Sequence, residues 1–372
     1  MTTQRSKRLA SVDFLRGLAI SLMIVANNPG QLHISYDFLH HASWDGFTLA
    51  DGIFPMFLFL VGVSVALAVN RDAVRSGAKA GFWGKVLKRT AVLIALGLVE
   101  NAAIHMTVDE LRFPGVLQRI AVVYLATVWL HVRLGDRGIL ATIGAVLAGY
   151  WLLLAFTPVP GLGVPSLGSQ TNLEGWLDRL VFGEHIWKNG TEWDPEGILS
   201  TFPAIALGLI GLEAGKWLRR GGQAIAKAAA IGLVLAGLGI LWNPWFPINK
   251  SLCSSSFVLL VGGSGIALAA FTHWYLDVRG LGRVWSKPWI VMGSNALALY
   301  ITASLAASTL RNIRWTDAAT GEAVSLQAYL YGLLFGSWES GPAASLAWGV
   351  AFLLPILGLA WALYAKRIFI KA

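Results

Sequence analysis

The chain has 372 residues, of which 56% are hydrophobic and only 13% are charged. Soluble domains contain roughly a quarter charged residues, so this composition excludes an ordinary soluble protein. The net charge of +9 does not indicate a nucleic-acid partner, because the basic residues cluster in short segments between long apolar blocks. The composition therefore predicts an all-α, polytopic membrane protein.

About ten apolar segments are long enough to cross a bilayer, since a helical span needs about 20 residues. In chain order they are 14–30, 53–70, 86–104, 115–132, 138–157, 198–217, 225–243, 252–275, 288–308 and 345–366. The apolar stretch 325–337 is too short to span and predicts an interfacial or re-entrant segment. We expect residues 1–372 to form a single integral-membrane domain.

The basic residues lie mainly on one side of the predicted bundle. If the N-terminus is cytoplasmic, most of the 29 lysines and arginines are cytoplasmic too, as the positive-inside rule requires. This bias predicts an even number of spans with both termini in the cytoplasm. The longest loops, 31–52, 158–197 and 309–344, then share the outer face, where long loops commonly build a site. No small-residue cleavage site follows the basic N-terminus, so we expect a retained first span.

An ionisable cluster marks the start of the second apolar segment. His40, His41, Asp45 and Asp51 come just before the uncharged run that begins at Ile53. Ionisable groups at the mouth of a membrane helix are costly and are functional candidates by default. Adjacent histidines cannot share one helix face, so at most one points into a common site. Asp51 is either the N-cap of the second helix or a group that orients His41 or receives charge from a substrate amine, and the two readings are compatible.

Polar residues in the first span also need partners. Asp13 and Arg16 are three residues apart and can pair on one helix face. Asn27 and Asn28 lie near the outer end of the same span. They either bind a polar substrate or hydrogen-bond the loop that carries His41.

Charged and amide side chains occur at the outer ends of later segments. Arg119 lies inside the fourth apolar segment and needs a partner, for which Glu100 at the end of the third segment is a candidate. Asn249 precedes the eighth segment. A structural ion pair and a binding role are both open for these groups.

The sequence offers little for metal, disulfide or serine chemistry. Adjacent His40 and His41 do not converge easily on one ion together with Asp37, so no metal is expected. Cys253 is the only cysteine, which excludes an internal disulfide. The chain has no GxSxG motif for a serine nucleophile and no Walker A motif.

Clustered glycines predict close helix packing. Gly211 and Gly215 have small-xxx-small spacing, and Gly262, Gly263 and Gly265 cluster in the eighth segment. Small residues let helices approach closely. Packing within the chain is the default expectation, and a dimer face is the alternative.

Five sequence blocks follow one another along the chain in a characteristic order. They are RLASVDFLRGLAISLMIVANN, HASWDGFTLADGIFPMFLFLVGVS, FPGVLQRIAVVYL, DPEGILSTFPAI and INKSLCSSSF. In content and order they resemble the heparan-alpha-glucosaminide N-acetyltransferase family, from Arg8 to the last span. Lysosomal members have an additional N-terminal lumenal region and one more span. The resemblance therefore covers the catalytic core and implies a bacterial homologue in the cytoplasmic (inner) membrane.

The resemblance implies transfer of an acetyl group from cytoplasmic acetyl-CoA, a co-substrate, to the amine of a glucosamine-type sugar across the membrane. The histidine of the HASW block, His41 rather than His40, carries over as the catalytic residue. Asp51 and Asn27 carry over as its partners. Asp45 stands where the lysosomal pattern has asparagine, so the acceptor is expected to differ.

Further residues complete the expected site. The residues expected to bind the acceptor are Trp44, Asp45, Asn28, Glu100 and Asn249. The basic residues expected to contact CoA are Arg16, Lys88, Arg89, Arg119 and Arg283. The family also suggests a homodimer surrounded by membrane lipid.

Two alternatives stay open at the level of sequence. His41 acts either as the general base for the acceptor amine or as a nucleophile that carries the acetyl group. About ten spans with polar residues also fit an amino-sugar transporter, although the internal repeats that transporters often have are not evident.

Overall fold

The computed structural model of the protein describes residues 9–31, 33–105, 111–187, 192–316, 321–336 and 341–370. This part of the chain is mostly helical. The helices are α1 (Ala10–Asn27), α2 (Leu49–Ala68), α3 (Arg71–Arg75), α4 (Phe82–His105), α5 (Val116–Arg133), α6 (Asp136–Phe156), α7 (Leu173–Phe182), α8 (Thr201–Arg220), α9 (Gln223–Trp242), α10 (Ser255–Thr272), α11 (Lys287–Ser294), α12 (Ala296–Asn312), α13 (Leu326–Phe335) and α14 (Pro342–Ala365). A 3-10 turn covers Asp37–Leu39, and a π-helical turn, His273–Val278, continues α10.

Seven of the described helices are long and apolar enough to cross a membrane: α1, α2, α5, α6, α9, α14 and α10 with its π-helical continuation. The α11–α12 pair is an eighth if the two helices, bent by 84° at their break, form one span. Helices α4 and α8 have 24 and 20 residues, so both reach the length of a span, but they are less apolar or more charged. Each of the ten predicted segments coincides with one of these helices or with the bent pair. The fold therefore supports a multi-pass membrane protein.

A short β-hairpin departs from the all-α expectation. Strands β1 (Arg314–Thr316) and β2 (Ala323–Ser325) pair antiparallel, with Trp315 opposite Val324. They lie in a predicted outer loop, directly before α13. Helix α13 has 10 residues, which agrees with the short apolar stretch predicted there.

Helix α2 packs along α8 through glycines. A Cβ atom on Gly62 would lie 1.8 Å from Gly208 O, and one on Gly211 would lie 1.9 Å from Phe59 O. A Cβ on Gly215 would also meet α2, at 2.7 Å. The predicted close packing is confirmed, and these glycines serve the contact between α2 and α8. This contact fixes α2, whose first turn carries Asp51.

Replacing Gly211 by valine is expected to destabilise the protein by about 3 kcal/mol, because the side chain has no space against the α2 backbone. Thermal unfolding in detergent, followed by circular dichroism, measures the effect. Gly144→Val on α6 is the matched control, since no described atom lies within 4 Å of a Cβ built there. Equal melting of the two variants would contradict the tight interface.

The segment that follows α14 is hydrogen-bonded to the break between α11 and α12. Helix α11 lies so close to α1 that a Cβ on Gly293 would be 1.8 Å from Asp13 O. The chain then breaks at Asn295, which is 2% exposed. The Asn295 amide donates to Ile368 O (3.0 Å) and accepts from Ile370 N (2.8 Å). The segment after α14 therefore returns to the break and is fastened there.

Candidate functional site

A histidine and a buried aspartate form the centre of the site. His41 Nδ1 lies 2.8 Å from Asp51 Oδ1. A carboxylate only accepts hydrogen bonds, so Nδ1 carries a proton, and in the neutral imidazole Nε2 then keeps its lone pair. The Asp51 side chain is 1% exposed, whereas that of His41 is 49% exposed. A half-exposed imidazole held from behind by a buried carboxylate has the arrangement of a general base.

Asp51 also fastens the loop that carries His41. Its Oδ2 accepts from the backbone N–H of Ala42 (3.1 Å) and of Thr48 (3.0 Å), and from Thr48 Oγ1 (3.0 Å). Helix α2 begins at Leu49, earlier than the apolar run suggested, so Asp51 is its third residue and not its N-cap. Thr48 precedes the helix and Asp51 closes its first turn, as in a capping box. The capping role and the histidine-orienting role are therefore divided between the two carboxylate oxygens.

The neighbouring histidine points elsewhere. His40 Nε2 lies 2.6 Å from Ser35 Oγ, within the loop itself. The expectation that adjacent histidines diverge agrees with this geometry. Within the described ranges, no group of three His, Cys, Asp or Glu side chains is placed to hold a metal ion.

Lys250 is a site residue that sequence reasoning missed. Its Nζ lies 3.1 Å from each ring nitrogen of His41 and 4.0 Å from Asp51 Oδ1. Burial lowers the pKa of the Lys250 ammonium, although the charges of Glu196 and Asp51 act against the change. Lys250 is 209 residues from His41, and its position in the INKSL block was the available signal. It presents a hydrogen-bond donor to the imidazole, beside the same Nε2 nitrogen that keeps its lone pair.

A cavity of about 730 Å³, here called the histidine cavity, opens in front of this centre. Its lining joins His41, Asp51 and Lys250 with side chains from α1, α4 and α12. Four further residues expected in the site lie on its wall, namely Asn27, Asn28, Trp44 and Glu100. The fold thus collects residues from distant parts of the chain around one imidazole.

Asp45 and Asn249 lie outside the residues that line this cavity. Asp45 is exposed, and its Oδ1 accepts from Asn249 Nδ2 at 3.0 Å. Asn249 is fully buried, and its Oδ1 accepts from Leu252 N at 2.8 Å. The pair joins the loop of His41 to the loop of Lys250. Their expected contact with an acceptor therefore stays a prediction, while their visible contact is with each other.

An ion-pair cluster lies at the edge of the histidine cavity, next to Trp193, and this edge is here called the rim. Arg112 donates to both oxygens of Asp194 (2.8 and 2.5 Å) and to Glu196 Oε2 (2.5 Å). Burial alone would lower the pKa of Arg112, but hydrogen bonds and charges from the two carboxylates raise it. Trp193 and Pro195, which line the cavity, are adjacent to Asp194 in sequence. The cluster therefore positions the rim of the site.

Two carboxyl groups are buried together behind this rim. Glu174 and Asp178 on α7 are 1% and 0% exposed. Burial raises the pKa of Glu174 to about 8, and the nearby negative charge of Asp178 adds to it. Burial likewise raises the pKa of Asp178 to about 6, with Asp194 adding to it. At neutral pH the folded protein therefore keeps a proton on Glu174 that the unfolded chain has released, and Asp178 keeps one only at lower pH.

This carboxyl pair makes stability depend on pH. Both folded-state pKa values are raised from 4.5 and 3.8, so the stabilisation is complete at low pH and is lost as pH rises toward 8. Each proton difference changes the free energy of unfolding by about 1.4 kcal/mol per pH unit. We expect thermal stability in detergent to fall from about pH 4 to pH 8, most steeply below about pH 6 where both groups contribute, and Glu174→Gln to remove the part of the fall above pH 6. A Glu174→Gln profile parallel to that of the wild type would contradict this origin.

A second cavity of about 660 Å³, here called the arginine cavity, lies among α1, α2, α4, α5 and the α11–α12 break. Arg16 and Arg89 are its basic lining residues. Arg16 pairs with Asp13 at 3.4 Å and donates to Ser64 Oγ. The guanidinium of Arg89 lies 4.7 Å from the ring centre of Tyr124. Two of the five basic residues expected to contact CoA therefore share one cavity.

The other three basic residues expected to contact CoA lie elsewhere. Lys88 and Arg283 are exposed and are not among the residues lining the arginine cavity. Arg119 is 4% exposed, and its Nη2 donates to Gly197 O (2.9 Å) and Ser200 Oγ (2.5 Å). This geometry corrects the expected pairing of Arg119 with Glu100, because the guanidinium turns toward the segment before α8. Arg119 is also not among the residues that line the arginine cavity.

The two cavities meet at a shared wall. Among the described residues, Met23 of α1 and Tyr300 of α12 line both. The arginine cavity reaches Asn295 before α12, and the histidine cavity reaches Arg311 near its end. At 1.5 Å per residue these ends of α12 are roughly 24 Å apart, close to the thickness of a hydrocarbon core. The cavities therefore extend in opposite directions from Met23 and Tyr300.

Fold and site together define a class: a multi-pass helical membrane protein with a His–Asp pair in one of two adjoining cavities. The chain belongs to the heparan-alpha-glucosaminide N-acetyltransferase catalytic family, whose model matches residues 8–241. The matched region contains His41 and Asp51, and Lys250 lies beyond it. The resemblance predicted from the five sequence blocks is confirmed.

Two curated relatives are similar over most of this chain. Heparan-alpha-glucosaminide N-acetyltransferase from Homo sapiens is 30% identical over 352 residues, which cover 79% of this chain and 52% of that protein. The Mus musculus protein of the same name is 30% identical over 359 residues, covering 80% and 54%. The chain spans about half the length of these relatives. Membership of this family supports an acyltransferase that is embedded in a membrane.

Proposed function

We propose that the protein is a transmembrane N-acetyltransferase, which moves acetyl from cytoplasmic acetyl-CoA to the amine of a glucosamine-type sugar on the other side of the membrane. The observation that carries the proposal is the pair of cavities that extend in opposite directions from Met23 and Tyr300. The donor thioester and the acceptor amine can then meet without either substrate crossing the bilayer.

The acceptor amine reacts in the histidine cavity. A sugar amine is largely protonated near neutral pH and attacks a thioester only after it loses a proton. His41 Nε2 takes that proton, since Nδ1–H is held by Asp51 at 2.8 Å. The amide of Asn27, on the same wall, is a donor for the oxyanion that forms on the acetyl carbonyl. Trp44, Asn28 and Glu100 are the lining residues that contact the sugar.

The CoA moiety of the donor occupies the arginine cavity. Its phosphates need cationic partners, and Arg16 and Arg89 supply guanidinium groups in the cavity wall. The pantetheine arm then extends toward Met23 and Tyr300 and brings the thioester to the shared wall. We assign this cavity to the cytoplasmic side because the basic loops of the chain lie at that end.

We further propose that the chain crosses a bacterial cytoplasmic membrane ten times with both termini in the cytoplasm. In that membrane it forms a homodimer surrounded by lipid.

Two chemical routes use the same residues. In the direct route, His41 is the base while the amine attacks acetyl-CoA; in the other, His41 Nε2 first accepts the acetyl group. Incubation with labelled acetyl-CoA without acceptor, followed by rapid acid quench and peptide mass spectrometry, separates them. Acetyl-His41 indicates the two-step route, and its absence with active protein indicates direct transfer.

One assay tests the proposed function against transport of an amino sugar. Purified protein with labelled acetyl-CoA and glucosamine is expected to form N-acetylglucosamine and free CoA in equal amounts. Liposomes that take up unmodified glucosamine without CoA, with no acetylation in detergent, would favour a transporter instead. His41→Ala protein is the control for uncatalysed transfer.

A further inference from the structure

Transfer of an acetyl group requires proton transfer at two places. The acceptor nitrogen loses a proton, and the sulfur of the departing CoA gains one. His41 serves the nitrogen in the histidine cavity. The sulfur leaves toward the arginine cavity, which His41 does not line. A proton donor for the thiolate must therefore be sought at the wall between the two cavities.

Tyr300 is placed at that wall. It lines both cavities, and the other described residue that does so, Met23, has no ionisable proton. Tyr300 lies on α12 five residues after Asn295, so it is roughly 8 Å along the helix from the break. A donor that reaches from one cavity to the other therefore passes Tyr300.

A buried carboxyl group holds the Tyr300 hydroxyl. Glu100 on α4 is 5% exposed, and the hydroxyls of Tyr300 and Ser304 are hydrogen-bonded to it. Tyr300 and Ser304 are one helical turn apart on α12, so the carboxyl group bridges two positions of one helix face. Glu100 also lines the histidine cavity. The phenol is thereby fixed at the wall and connected to the cavity that contains His41.

We propose that Tyr300 is a catalytic residue that protonates the CoA thiolate as the acetyl group leaves. The inference rests on the proposed acetyl transfer and goes beyond it. The amine nitrogen forms a bond to the acetyl carbon, and the carbon–sulfur bond breaks with its electron pair on sulfur. The nitrogen gives a proton to His41, and the Tyr300 hydroxyl gives its proton to sulfur. The proton on His41 then returns to the Tyr300 phenolate across the histidine cavity, which both residues line, so protons and charge balance.

The test is Tyr300→Phe, which keeps the ring between the cavities and removes the hydroxyl. With acetyl-CoA and glucosamine we expect kcat to fall about 10²-fold, as for loss of a general acid, while KM for acetyl-CoA stays within about twofold. Tyr331→Phe on α13 is the matched control, because Tyr331 is a buried tyrosine that lines neither cavity. It is expected to keep the wild-type rate.

A second donor separates catalysis from structure. Phenyl thioacetate releases a more acidic thiol than CoA and needs less help from a proton donor. The defect of Tyr300→Phe is expected to shrink to less than about threefold with this donor. An equal defect with both donors, or an unchanged kcat with acetyl-CoA, would overturn the role of Tyr300 while leaving acetyl transfer intact. Absence of N-acetylglucosamine with the wild-type protein would be a failure of the proposed function itself.

Discussion

His41→Ala protein is expected to lose acetyl transfer by about 10²-fold to 10⁴-fold, because the acceptor amine then has no base. Binding of CoA is expected to remain, since His41 is not among the residues that line the arginine cavity. Product formation is measured with labelled acetyl-CoA and glucosamine. Binding is measured by calorimetry on the same detergent-solubilised sample. Loss of turnover with retained binding would separate the chemistry from the donor site.

His40→Ala is the matched control for this variant. His40 is adjacent in sequence, but its Nε2 lies 2.6 Å from Ser35 Oγ, and His40 is not among the residues that line the histidine cavity. The variant is expected to turn over within about twofold of the wild type, because the His40 side chain does not line the histidine cavity. Normal acetylation by His41→Ala, or equal losses in the two variants, would contradict the assignment of His41.

Asp51→Asn is expected to reduce turnover by about 10³-fold or more. An asparagine offers only one acceptor oxygen where the carboxylate offers two, and its amide group can favour the wrong imidazole tautomer. The effect appears in kcat, because the ring loses its orientation and the charge that stabilises the imidazolium. The measurement is steady-state acetylation of glucosamine at saturating acetyl-CoA.

Loss of the loop anchor must be distinguished from loss of catalysis in Asp51→Asn. Oδ2 of Asp51 accepts hydrogen bonds from Ala42 and Thr48, so the melting temperature is measured in parallel. Asp37→Asn, at an exposed position of the same loop, is the control for removing a negative charge. Wild-type turnover by Asp51→Asn would show that the His41–Asp51 contact has no role in the reaction.

The sequence predicted the helices better than their irregularities. Each predicted apolar segment coincides with a helix or with the bent pair, because about 20 consecutive apolar residues are compatible with little else in a membrane. The 84° bend at Asn295 was not predicted, since Ser294 and Asn295 are only two polar residues in an apolar run. The amide of Asn295 is used by the returning end of the chain, a contact between residues about 75 positions apart.

The site was predictable where local sequence determines it. His41 and Asp51 are ten residues apart, so one loop and the first turn of α2 bring them together. Lys250 reaches the same imidazole across 209 residues, and no periodicity indicates such a contact. Arg119 was expected to pair with Glu100 by proximity in the order of spans. Its rotation on α5 directs it toward Gly197 instead, and only the packing of α5 against neighbouring segments determines that rotation.

The proposed separation of the substrates across the membrane is tested most directly in sealed proteoliposomes. Protein is inserted in one orientation, acetyl-CoA is supplied only on the cytoplasmic side, and glucosamine is enclosed only on the other. Our account predicts N-acetylglucosamine in the compartment that held glucosamine and free CoA in the compartment that held acetyl-CoA, with neither product in proteoliposomes of the His41→Ala protein. Product formed only when both substrates are on one side of the membrane would contradict it.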